Sequence, residues 1–384
     1  MHIEPPVLYQ EFEKRFPYES GEPVLPDCAV FWQEGEKEAK RGTSAIRTGA
    51  FRRTETEFAV RFMPEQEGVW HYEIRVPGTV LSGDVLCVRE AAGEVRTAGE
   101  RASDMGSEEG CPLGARPAAG GCHGRVVAEG DGFAYLDGEK FLPFGTTCYA
   151  WIYQPEERQE QTLATLAGSC FNKLRMLVFP KHMPYNNEEP ERFPYLRDGE
   201  GGWDLKRPDL LFWERLDQVI ARLGELGIET DLILFHPYDR WGFSELSGEE
   251  SRCYLEYCIA RLSAFHNLWW SLANEYEMVI RKNHADWDAV GELIRDRDPY
   301  GHLISIHNIM QLYPKRDWMT HCSIQSSDLN RIPYWKKKYG CPILIDECGY
   351  EGDLEFAWGN LSAFDMADRF WWTVTRGGYC THGE

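Results

Sequence analysis

Short apolar stretches separated by polar turn residues open the chain. They fall at residues 29–32, 56–62, 68–76 and 84–88, and Gly, Pro and Asp clusters stand between them. Several alternate with period two, the pattern of strands with one face buried. This spacing predicts a small all-β sandwich over residues 1–95, similar in size to an immunoglobulin or fibronectin domain. Residues 96–121 are rich in Gly, Ala, Ser and charge and read as a linker. From residue 122 the pattern changes. Apolar runs recur at 141–148, 172–179, 229–236, 267–274, 302–307, 322–326, 342–346 and 378–381. Amphipathic stretches lie between them. The clearest covers 207–226, where Leu211, Leu216, Val219, Ile220, Leu223 and Leu226 share a face and Gly227 marks the stop. Others cover 254–265 and 287–294. Eight strands alternating with helices predict a (β/α)8 TIM barrel over 122–384, an α/β fold preceded by the β-sandwich. The eighth strand falls at the very end of the sequence, with no helix after it. A barrel without that helix exposes an apolar flank, to be covered by the N-terminal domain, by a second copy in a homo-oligomer, or by a further C-terminal region.

The net charge of −21 argues against nucleic-acid and anionic-membrane partners, which select clustered Lys and Arg. It also disfavours a polyanionic substrate. No apolar run reaches the roughly 18 residues of a membrane span. The first residues, Met-His-Ile-Glu-Pro-Pro, lack the basic and apolar regions of a secretion signal. The 12 cysteines form no CxxC pair and no zinc-finger spacing. A reducing, cytoplasmic location fits these features. The 14 tryptophans are many for 384 residues and suit both core packing and stacking on sugar C–H faces.

Two carboxylates end apolar strand patterns. Glu275 closes the run from Asn267, directly after Asn274, and Glu347 closes the run from Pro342. In a (β/α)8 barrel the carboxyl ends of the strands carry the chemistry. Glycoside hydrolysis requires two carboxyls there, one to protonate the leaving oxygen and one to attack the anomeric carbon or activate water. Arg175, inside the second strand pattern, is a candidate to hold Glu347 ionised. His236 ends the third strand and His307 the fifth, where a neutral imidazole can touch a sugar or orient a carboxylate. His236, His307 and His382 can also be drawn as a metal triad, but a zinc site leaves both glutamates unexplained, so no metal and no cofactor are assigned. Asp346 and Glu277 are rival carboxylates. Asp346 precedes Glu347 and by alternation should face the other side. Glu351 and Glu384 are weaker rivals. Tyr149, Trp151, Trp241 and Tyr350 follow strand ends and suit sugar platforms, as do Tyr185, Trp203, Tyr238 and Tyr276.

The wording Trp270-Ser-Leu-Ala-Asn-Glu275 and Ile343-Leu-Ile-Asp-Glu347 resembles the (β/α)8-barrel glycoside hydrolases of clan A, in which Asn-Glu ends strand four and Glu ends strand seven. An N-terminal β-sandwich before such a barrel is similar to uncharacterised bacterial proteins grouped with glycoside hydrolases, the apiosidase-like ones among them. The resemblance makes Glu275 the acid/base, Glu347 the nucleophile and Asn274 a ligand of the hydroxyl beside the anomeric carbon. It places His382 where clan members carry a strand-eight Trp. The expected activity is retaining hydrolysis of a β-linked neutral oligosaccharide or small glycoside by double displacement. A transglycosylase using the same residues, or a catalytically silent carbohydrate-binding protein, are the alternatives.

Overall fold

The computed structural model describes residues 7–33, 45–89, 122–355 and 358–383. The expected linker and Glu384 lie outside the described residues.

Six strands build the N-terminal domain: β1 (Phe12–Pro17), β2 (Val24–Trp32), β3 (Ile46–Arg52), β4 (Glu57–Phe62), β5 (Gly68–Val76) and β6 (Thr79–Cys87). They pair antiparallel as one continuous sheet in the order β1-β4-β3-β2-β5-β6. A register shift inside β2, between Leu25 and Ala29, bends that strand. The two ends of the sheet meet where Val7 bridges Val88. Phe31 stacks on Phe62 with ring centroids 4.3 Å apart, and Trp70, Ile74 and Met63 extend this core, which Ala264 and Tyr300 of the barrel side join.

A three-stranded antiparallel sheet follows: β7 (Val126–Glu129), β8 (Gly132–Tyr135) and β9 (Lys140–Phe141). Phe133 and Phe141 pack on Trp269, Leu303 and Leu344, whose strands run parallel, so this sheet plugs the amino end of the barrel. The single strand expected over 141–148 is split here. Pro143 has no N–H to donate to a ladder, and pairing resumes at Phe144.

The barrel strands are β10 (Phe144–Thr147), β11 (Lys173–Leu177), β14 (Glu229–Phe235), β15 (Leu268–Ala273), β16 (Ile304–Ser305), β17 (Cys322–Gln325), β18 (Ile343–Glu347) and β19 (Tyr379–His382). A hairpin of β12 (Tyr195–Arg197) and β13 (Trp203–Pro208) intervenes after the second. The eight pair in the order β16-β15-β14-β11-β10-β19-β18-β17, all parallel. The His307–Ser323 bridge joins the two ends. Helices α1 (Glu156–Ala167), α2 (Leu210–Glu225), α3 (Gly248–Leu262), α4 (His284–Arg297), α5 (Ile332–Tyr339) and α6 (Ala363–Thr375) connect them, but residues 306–321 cross from β16 to β17 without a helix. Asp209 caps α2 by accepting from the N–H groups of Leu211 and Phe212, and Leu216, Ile220 and Leu223 bury its inner face.

The N-terminal domain docks on α2 and α3. Asp217 accepts from Arg61 and Arg261, each at 2.7 Å, and Arg61 also reaches Glu13 at 2.9 Å. Phe51 packs edge-on to Tyr257, and Val24, Phe51 and Ala59 join the barrel's own core. Phe364, Trp371 and Val374 of α6 are exposed, as is Leu142 just before β10. No helix among the described residues is long and apolar enough to cross a membrane.

Candidate active site

Glu275 stands just past β15 in left-handed backbone, with φ +47° and ψ +57°. A non-glycine residue there is strained and persists only where its surroundings fix it. Three backbone hydrogen bonds do so: Asn274 N–H to Phe235 (2.9 Å), Tyr276 N–H to His307 (3.0 Å) and Met278 N–H to Glu275 (2.9 Å). The Glu275 carboxylate accepts from the Tyr238 phenol. In the orientation that satisfies both ends of its amide, the Gln325 nitrogen lies 3.0 Å from Glu275 Oε1 and 3.2 Å from the Asn308 carbonyl. Burial pushes the Glu275 carboxyl up, and the charge of Glu347 adds to this, to about 7. The Tyr238 hydrogen bond, the Lys181 ammonium and Gln325 pull the other way.

Glu347 reaches the same end of the barrel through an irregularity. Ile324 pairs with Ile345, yet the next pair is Gln325 with Glu347, so β18 carries one extra residue. Such a bulge breaks the alternation of side chains. Asp346 and Glu347 therefore both turn inward, which corrects the expectation that Asp346 faces away. Glu347 accepts from the Tyr149 phenol, and burial and the Glu347 charge raise the nearby Tyr350 phenol.

Beneath the two glutamates lies a buried charged layer. Lys173 Nζ is 2.7 Å from Asp231 and 2.8 Å from Asp346. Asp346 also accepts from Ser323 (2.5 Å) and Thr381 (2.8 Å). Burial alone would raise Asp346, but Lys173 and Arg175 outweigh it and hold it far below the ordinary carboxylate range. Asp346 is thus an ion-pair partner and no proton donor. Arg175 Nε lies 3.3 Å from Asp231 and 4.0 Å from Asp346, rather than against Glu347 as expected. Its Nη atoms lie 3.5 Å from the Tyr149 hydroxyl and from Asn274 Oδ1. Arg175 reaches Glu347 through Tyr149 and fixes Asn274 beside Glu275.

The histidines divide. His307 is buried, its Nδ1 accepts from the Glu275 N–H at 3.4 Å, and its Nε2 has no partner among the described residues. Burial and then Arg175 lower its basicity, so it is neutral. His236 commits both nitrogens to backbone, Nε2 to Phe179 (3.1 Å) and Nδ1 to Tyr238 (3.1 Å). It shapes the turn that presents Tyr238 and keeps no nitrogen for a sugar. Burial lowers it to about 3. His382 packs on Phe171 and bonds Glu351 at 2.7 Å, outside the barrel rather than at its mouth. The space near the end of β19 is taken by Tyr350, whose ring lies so close to Gly383 that any Cβ there would overlap it.

Of the expected platforms, Trp151 is buried, and Trp241 is buried with Nε1 donating to Glu189 (2.9 Å). Tyr149 acts through its hydroxyl on Glu347 and Tyr238 on Glu275, while Tyr350 lies close enough to Glu347 to feel its charge. Glu277 accepts the N–H groups of Ile309, Met310 and Gln311, which makes it an anchor of the loop after β16. Gln325, Lys181, Lys173 and Asp231 were not foreseen. Lys173, Arg175 and Asp231 left a readable signal: charged residues at inward positions of otherwise apolar strands.

Comparison with known proteins gives the same architecture. The model of a family described as apiosidase-like, catalytic domain, matches residues 128–383. A crystal structure of a candidate glycoside hydrolase from Bacteroides vulgatus superposes with a TM-score of 0.83 at 33% identity, over 98% of this chain and 71% of that one. A family 5 glycoside hydrolase, also from Bacteroides vulgatus, superposes with a TM-score of 0.53 at 15% identity, over 68% of this chain and 62% of that one. The latter likeness is one of fold. No curated protein matches.

Proposed function

The chain belongs to the apiosidase-like family, and from that premise we propose that it is a retaining glycoside hydrolase in which Glu275 is the acid/base and Glu347 the nucleophile. One observation carries the reading. Two buried glutamates share the carboxyl end of one barrel, and Glu275, pushed up to about 7 by burial and by Glu347's charge, is poised to hold a proton near neutrality.

Glu275 donates that proton to the glycosidic oxygen as the bond to the anomeric carbon breaks. Glu347 attacks the anomeric carbon from the opposite face and forms a glycosyl ester. Glu275, now a carboxylate, takes a proton from water, and the hydroxide oxygen displaces Glu347. The sugar leaves with its configuration retained. Tyr149 orients the Glu347 carboxylate, Tyr238 and Gln325 that of Glu275. Asn274, held by Arg175, is placed to bind the neighbouring sugar hydroxyl. No cofactor enters this scheme.

The substrate proposed is a neutral β-linked small glycoside. The family's name makes an aryl apioside the first compound to test, followed by other neutral aryl β-glycosides. No disulfide joins any two of the described cysteines, which suits the cytoplasmic location proposed. Proton NMR of the first-formed sugar decides the mechanism. The retained anomer is expected. The inverted anomer, or undiminished turnover in both Glu275→Gln and Glu347→Gln, sinks the proposal.

A further inference from the structure

Lys181 lies four residues past the end of β11, half-buried, and makes no ion pair among the described residues. Its ammonium instead faces three aromatic rings. Nζ is 4.7 Å from the Tyr149 ring centroid, 5.1 Å from that of Tyr238 and 5.5 Å from that of Tyr185. Tyr149 is the phenol that donates to Glu347, and Tyr238 is the phenol that donates to Glu275. One cation therefore touches both rings that hold the two carboxylates. The loop is fixed around it. His182 N–H donates to the Tyr238 carbonyl at 2.7 Å, and Asn186 Nδ2 donates to the Lys181 carbonyl at 2.6 Å.

We infer that Lys181 is a positioning residue for the catalytic pair, acting as a cationic clamp on the faces of Tyr149 and Tyr238. A cation over a tyrosine ring is attracted by its quadrupole, more strongly where water is excluded. Shared between two rings, that attraction fixes their separation, and through the phenols it fixes where the two carboxylates stand. Glu275 is faced by Glu347, by the donors Tyr238 and Gln325, by His307 at its backbone, and by the Lys181 charge. Tyr350 lies within reach of the same field. Arg175 acts on it through Asn274. Lys181 is the cation in this set whose charge favours the ionised form of Glu275. It thus works against burial and against Glu347, and keeps Glu275 able to give up its proton as well as hold it.

This inference rests on the proposed roles of Glu275 and Glu347, so its test includes a readout that needs no substrate. The carboxyl of Glu275 is titrated by 13C NMR in glutamate-labelled protein and assigned by its absence in Glu275→Gln. In Lys181→Met the midpoint is expected to move to higher pH, and in Lys181→Arg to stay with the parent. An unchanged midpoint in a folded Lys181→Met overturns the clamp. Lys181→Arg, which keeps the charge, guards against a variant that merely misfolds. On a glycoside that the parent cleaves, Lys181→Met should lower kcat by about ten- to a hundredfold, the scale of a small misplacement of reacting groups. The alkaline limb of kcat/KM should move upward with the midpoint. A uniform fall without that movement also overturns the clamp. Should the parent cleave no glycoside, the proposed hydrolase activity falls while the titration still decides the role of Lys181.

Discussion

Asp346 and Glu347 are neighbours in the chain, yet both turn into the barrel, because β18 carries one more residue than β17 between the pairs Ile324–Ile345 and Gln325–Glu347. The first joins a buried ion-pair network and the second accepts from Tyr149. The bulge is what lets one strand supply both a buried ion-pair carboxylate and the carboxylate proposed as nucleophile.

Losing either glutamate should have a different signature. Glu275→Gln should lower kcat by about 10²–10⁴-fold on a poor leaving group, the usual worth of general acid catalysis. On a dinitrophenyl glycoside, whose leaving group needs no proton, its glycosylation step should recover. Glu347→Gln should be inactive on both, since no other group can form the covalent intermediate. Steady-state rates on the two substrates separate the roles, and equal recovery in both variants would contradict them.

Glu275 should link pH to both activity and stability. Its folded pKa, about 7, lies above the ordinary carboxylate value, so the folded state favours the protonated form. Activity that needs the acid should fall as pH rises through about 7. Stability should also fall as pH rises from the unfolded value toward 7, by an amount on the order of 3 kcal/mol. Glu275→Gln removes that penalty. Its Tm should exceed the parent's at pH 8 and match it near pH 4, as read by thermal melts at the two pH values.

The charged layer under the site should be intolerant of single neutralisations. Lys173→Met leaves Asp231 and Asp346 buried with less countercharge and should cost about 3–5 kcal/mol. Asp231→Asn should cost a similar amount for the converse reason. The double variant should lose less than the sum, because the two share one interaction. Urea unfolding of the four proteins completes the cycle, and simple additivity would count against the network.

Asp217 ties the N-terminal domain to the barrel through Arg61 and Arg261. Asp217→Ala leaves two buried guanidinium groups facing each other and should destabilise by about 3–5 kcal/mol. The parent should unfold in one calorimetric transition and the variant in two. A single unshifted transition in the variant would mean that the remaining contacts, Phe51 and Ala59 in the shared core and Arg53–Glu214 among the ion pairs, suffice to join the domains.

The barrel was readable because its strands are short apolar runs at regular intervals, and burial on both faces admits little else. Glu275 and Glu347 stood out for the same reason: a carboxylate at the end of such a run is costly to bury without a role. The supporting groups were harder to find. Tyr238 read as a sugar platform, and its hydroxyl contact with Glu275 depends on a turn that His236 shapes. Gln325, at the end of β17, and Lys181, in the loop after β11, sit where no spacing marks them. His382 failed as a rim residue because it falls on the outward face of β19, where Phe171 and Glu351 receive it.

By itself the sequence determined the strand and helix pattern, the order of the two β-rich and α/β regions, and the pair of carboxylates at strand ends. Those follow from periodicity and from the cost of burying charge, which act locally. Tertiary structure alone decided which side chains meet. The bulge in β18 turned Glu347 inward, the closing of eight strands brought Tyr149 and Tyr238 to opposite carboxylates under one ammonium, and the barrel interior gathered Lys173, Arg175, Asp231 and Asp346 into one layer. Such contacts join residues far apart in the chain, and their partners are set by register and closure, which no local pattern encodes.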